Sequence, residues 1–125
     1  MNLGDAFVNL PDGTGYPSHL WFVITRPTGA NRVAIVNISS ENDGVPDLPI
    51  FRSADHSWPQ HDSFVRTAEA ALVPVVELTR LLTAGRLDKK APLTAAALKK
   101  LQIEIHASRH TQREIVGILE DQGFI

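Results

Sequence analysis

In the first half of the chain, apolar residues fall in short dense runs cut by polar turns; in the second half they recur at helical spacing. Asp5–Leu10 is a brief apolar run ended by PDGTG (residues 11–15), a turn composition of proline, aspartate and glycine. His19–Thr25 (HLWFVIT) and Arg32–Ile38 (RVAIVNI) are aromatic and β-branched, and the intervening RPTGAN is of hairpin length. Both runs are almost continuously apolar, which predicts strands covered on both faces. Residues 39–50 (SSENDGVPDLPI) predict a loop, and Ser63–Val65 and Ala71–Val76 predict further strands. Pro74 places the last of these at an edge or a bulge. Glu77–Ala84 then predicts a short helix stopped by Gly85. Pro92 and Thr94 open a longer helix with Leu93, Ala97, Leu98, Leu101 and Ile105 on one face. Thr111 and Glu114 make a T-x-x-E capping box before IVGIL, predicting a last short helix.

These elements predict a mainly β, α+β fold: a small barrel of about five to six strands with two or three C-terminal helices. The expected organisation is a single domain over 1–125, with a β-barrel core at 1–76 and a helical extension at 77–125 that covers one opening or one face. A length of 125 residues suffices for one buried core and leaves no room for two. With 43% hydrophobic and 21% charged residues, the composition is that of a globular domain. The absence of cysteine excludes disulfides and thiolate metal sites. MNLGDAFVNLPDG lacks the basic start and apolar run of a signal peptide. The apolar runs LWFVI and AALVPVV are too short to span a bilayer, so a cytoplasmic protein without membrane contact is expected. The net charge of −2 argues against a general nucleic-acid coat, but the charge is uneven. Residues 1–62 carry three basic and seven acidic side chains, and residues 63–125 carry nine and seven. Such a balance suits guidance of a polyanion or a partner, or simply reflects basic helix surfaces.

The chemistry concentrates in DHSWPQHDSF, residues 55–64. His56 and His61 with Asp62 suggest a metal clip, but no matching partner pair occurs elsewhere, so neither metal nor cofactor is expected. Acid–base chemistry fits better. Histidine exchanges protons near neutral pH. In an extended segment His61 and Ser63 project to one face while Asp62 turns to the other. A histidine and a serine beside a cation can serve phosphoryl transfer on RNA, with Arg26, Arg52 or Arg66 as the source of charge. The alternative is structural: Asp55, Asp62 and Ser63 capping turns, with His61 packed or solvated. His19 opens an aromatic strand and suits a structural hydrogen bond as well as a site. Arg26, at the end of that strand, is expected to be exposed. Trp21 reads as core. Trp58, bounded by proline, suits stacking on a base or a partner, or wedging beneath its own loop. His106 and His110 read as a polar helix end.

The order of parts carries a resemblance. Gly4-Asp5 leads to HLWFVITRP, then RVAIVNIS, then DHSWPQHDSFV and VPVVEL. Over roughly residues 4–78 this resembles divergent relatives of the PemK/MazF-type toxins of bacterial toxin–antitoxin modules. That group has a segment of the form H-P-x-I-x-H-x-S-Y-V, which here reads His56 to Val65. The more specific matches are His61-x-Ser63-aromatic-Val65 and His19…Arg26-Pro27. The resemblance implies an SH3-like barrel, usually a homodimer, that cleaves single-stranded RNA without a metal and is inhibited by an antitoxin. The arginine and serine or threonine of typical members are matched only loosely by Arg26 and Thr28. The two-histidine segment is no part of the best-known members' site, and the tail from residue 77 exceeds what a compact toxin needs.

Two functions follow as expectations. One is a metal-independent endoribonuclease with His61, Ser63 and Arg26 as catalytic residues and His19, His56, Trp58, Arg52 and Arg66 contacting substrate. The other is a non-catalytic barrel module that docks a protein, peptide or nucleic acid in a regulatory role.

Overall fold

A computed structural model describes residues 1–11 and 19–125; most of the predicted PDGTG turn lies outside the described residues. Seven antiparallel strands form one sheet among the described residues: β1 (Ala6–Val8), β2 (Leu20–Val23), β3 (Arg32–Ser39), β4 (Ile50–Phe51), β5 (Ser63–Val65), β6 (Ala71–Pro74) and β7 (Asp88–Lys90). Three α-helices accompany them among the described residues: α1 (Val75–Thr83), α2 (Ala95–Ala107) and α3 (Arg113–Asp121). The strand order is β4-β5-β3-β2-β1-β7, with β6 also on β3. β3 is shared: Arg32–Ile35 pair with β6, whereas Ile38 and Ser39 pair with β5.

The α+β class and the C-terminal helices are as the sequence predicts. The sheet itself is open, running from β4 to β7 with no pairing between those ends among the described residues. The double-sided burial that suggests a closed barrel has another cause: helices cover both faces. Alternate side chains on a strand point to opposite faces. Ala6, Val8, Leu20, Phe22, Ala34, Val36 and Ile38 therefore pack with Leu101, Ile105, Ile115 and Leu119 of α2 and α3. Phe7, Trp21, Val23, Val33 and Ile35 pack with Leu78 and Leu81 of α1. Every residue of β2 is buried for this reason.

Pro74 ends β6 and serves as the N-cap of α1, so strand passes into helix without a loop. Gly85, at φ +72°, takes the left-handed position that ends α1. Arg86 N–H donates to the Leu81 carbonyl and Gly85 N–H to that of Leu82, which satisfies two terminal acceptors. The segment expected to be a purely helical extension then returns to the sheet, because β7 pairs with β1. Thr94 caps α2, its hydroxyl accepting from Ala97 N–H at 3.1 Å. The expected Thr111–Glu114 capping box does not form. Thr111 instead donates to the Ile105 carbonyl at 2.6 Å, satisfying the end of α2, and the N-cap of α3 is Gln112. Glu114 is drawn to Arg32, 3.4 Å away. Among the described residues no helix is long and apolar enough to cross a membrane.

Candidate functional site

The segment from Arg52 to Asp62 is irregular but closely tied. A single 3₁₀ turn spans Ser53–Asp55. The Asp62 carboxylate closes the segment on itself, accepting from Ser53 N–H at 2.8 Å and from the Arg52 guanidinium at 3.2 Å. His56 is buried and works as a strut. Its Nδ1 accepts from Trp58 N–H at 3.0 Å, which leaves Nε2–H to donate to the Ala91 carbonyl at 2.5 Å. Its ring also meets Phe22 edge-on, with centroids 5.7 Å apart. With both nitrogens and one edge engaged, His56 holds the loop rather than facing a ligand.

This bracing presents the rest of the loop to a cleft of about 1160 Å³ beyond one end of β2, β3 and β5. His19, at the start of β2, Ser39 and Ser40, at the end of β3, and Ser63, at the start of β5, form one side. Ser57, Trp58, Pro59, Gln60 and His61 form another, and Glu41, Asp43, Arg66 and Glu69 complete it. His61 is exposed, with Nδ1 3.1 Å from the Asp62 carbonyl. Ser63 is buried at the cleft wall, its hydroxyl 3.5 Å from the His61 carbonyl. Trp58 remains 38% exposed, a large apolar plate that its own loop does not cover. The Arg66 side chain is only 12% exposed and stands 2.9 Å from Asp43 and 3.0 Å from Glu69. Glu69 Oε2 is buried and makes no aligned hydrogen bond, so its link to Arg66 is one of charge alone.

Of the predicted residues, His19, Trp58, His61, Ser63 and Arg66 thus share one cleft. Arg26, Arg52 and His56 do not line it. Arg26 lies beyond the end of β2 opposite to His19, and the four strand residues between them alone span about 13 Å. Arg26 has other partners. Its N–H donates to Gln122 Oε1 at 2.8 Å, and its guanidinium donates to the Gln122 carbonyl and lies 4.6 Å above the Phe124 ring. Gly123, at φ +78°, turns Phe124 back beneath it. Arg52 is spent on Asp62 at the surface. Sequence reasoning had no signal for Glu41, Asp43 and Glu69, which come from the 39–50 loop and the turn after β5. Three carboxylates against one guanidinium leave the cleft electronegative while its histidines are neutral. Among the described residues, no group of three histidine, aspartate or glutamate side chains is placed to hold a metal ion.

The Ser53 amide, more than Arg52, holds the Asp62 carboxyl below the usual carboxylate range. A depressed acid stabilises the fold fully at neutral pH and loses that effect as pH falls through its folded value. The Ser53 amide resonance is therefore expected to titrate with a midpoint below about 3.9, the ordinary aspartate value. The titration should vanish in Asp62→Asn; a midpoint at or above that of an ordinary aspartate would contradict the bracket.

Compared with known proteins, the chain matches no family model, and its sequence finds no match among curated proteins.

Proposed function

We propose that the cleft binds single-stranded RNA and cleaves it as a metal-independent endoribonuclease, in the manner of the PemK/MazF-type toxins that residues 4–78 resemble. The observation that carries this reading is the convergence of His61, His19, Ser63 and Arg66 around one open space beside the exposed Trp58. One histidine, His61, takes the proton from a ribose 2′-hydroxyl. The 2′-oxygen then bonds to phosphorus as the bond to the 5′-oxygen breaks, and His19 protonates that leaving oxygen. The products are a 2′,3′-cyclic phosphate and a free 5′-hydroxyl. Arg66, in place of Arg26, supplies the positive charge that the crowded phosphate requires. Ser63 offers a hydroxyl to a phosphate oxygen, and Trp58 offers a face on which a base stacks. On this reading the protein acts in the cytoplasm, and its partners are RNA, an antitoxin and a second copy of the chain.

The test is a mixed RNA pool incubated with purified protein, with and without chelator. Cleavage that survives chelation and leaves cyclic phosphate ends is the expected result. Intact RNA under all conditions would overturn the reading.

One observation favours a second function. Glu41, Asp43 and Glu69 repel a polyanion and, beside Trp58, suit a basic peptide. On that reading the protein is a docking module, RNA stays intact, and an arginine-rich peptide binds with an affinity that falls steeply with salt.

A further inference from the structure

The contacts of Arg66 are unequal. Glu69 belongs to the same 3₁₀ turn, three residues along the chain, and its carboxylate is partly buried with Arg66. Asp43 comes from the separate loop between β3 and β4, and its side chain is 61% exposed. The backbone of Asp43 is in the left-handed region, at φ +52°, within a turn closed by Gly44 N–H to Asn42 Oδ1 and Val45 N–H to the Asn42 carbonyl. With its own carboxylate largely in solvent, Asp43 gains little net free energy from the pair, whereas a phosphodiester offers a guanidinium paired, charge-assisted hydrogen bonds.

We propose that Arg66 is the anion subsite of the cleft and that Asp43 occupies it as an internal competitor, which a phosphate oxygen of the ligand displaces. Glu69, three residues along the chain, stays beside the guanidinium as its remaining counter-charge when Asp43 leaves. The arrangement resolves the charge conflict in the cleft, because the exposed carboxylate closest to the cation is also the one its loop can withdraw. The proposal rests on the phosphodiester reading of the cleft, but its test does not require RNA.

Inorganic phosphate is titrated into the full chain while the guanidinium Nε–H resonance of Arg66 is followed. Asp43→Asn retains a residue that tolerates left-handed backbone and removes the competing charge. It is expected to bind phosphate about tenfold more tightly than the parent. Adding Arg66→Met to that variant should abolish the gain. Asp121→Asn removes the same charge from α3, away from the cleft lining, and should change the affinity by less than about twofold. Equal affinities for parent and Asp43→Asn would overturn the proposal, as would an equal gain from Asp121→Asn. A tenfold gain in a protein that leaves RNA intact would instead uphold the competitor and overturn the ribonuclease reading. RNA cleavage with no gain in Asp43→Asn would do the reverse.

Discussion

His61→Ala is expected to lower RNA cleavage by about 10²- to 10⁴-fold, the usual worth of a positioned proton-transfer group, while the protein stays folded. The second half of that expectation follows from exposure. His61 lies at the cleft surface, with its Nδ1 3.1 Å from the carbonyl of the next residue. Removing such a side chain shifts stability by no more than about 0.5 kcal/mol. Asp62, which closes the loop, and His56, which braces it, are untouched by the change. Loss of activity with an unaltered urea midpoint therefore isolates chemistry from scaffold. Cleavage within threefold of the parent would remove His61 from the mechanism, whatever the fate of the cleft as a binding site.

Phe22→Ala is expected to destabilise the protein by about 3–5 kcal/mol, a large share of the 5–15 kcal/mol typical of a whole domain. Phe22 is fully buried at the centre of β2, between Ala6 on β1 and Val36 on β3. Its ring stacks on Phe51 with centroids 5.2 Å apart and receives the edge of His56. Truncation leaves a cavity beneath both contacts. Because Phe51 belongs to β4 and His56 anchors the loop that carries Trp58 and His61, the variant should also lose ligand binding before it unfolds. Urea unfolding followed by circular dichroism measures the first effect. A loss smaller than about 1.5 kcal/mol would show that the neighbouring side chains collapse into the space.

How much of this was legible in the sequence depended on what each element buries. β2 and β3 are apolar because they are covered, so their composition announces them. β7 reads DKK and has no alternation, since Asp88 and Lys89 are exposed and main-chain pairing to β1 holds the strand. Periodicity cannot report such an element. The same limit applies to closure: β2 and β3 read as covered on both faces, but nothing in them says whether helices or more strands do the covering. At the site, His61 and Ser63 line one cleft and Asp62 does not, but β5 begins only at Ser63, so His61 reaches the cleft from the bend before the strand rather than by strand alternation. The division of the arginines did not follow. Arg26, Arg52 and Arg66 are equivalent in sequence, and only the sheet places one in the cleft and the others against Gln122 and Asp62. His56 carried a misleading signal, because a histidine buried for bracing and one exposed at a cleft look alike in a one-dimensional pattern.

The forked pairing of β3 has a mechanical consequence. Where β5 and β6 part from each other along that strand, the turn between them carries Arg66, whose N–H donates to the Asn37 carbonyl in the centre of the sheet. The cation of the cleft is thereby tied to β3, which pairs with β2, β5 and β6, while the acid facing it comes from a surface turn. One side is thus built into the sheet and the other into a loop outside it. On the proposed reading, a ligand would enter by displacing the Asp43 side, while the charge that receives it keeps its position.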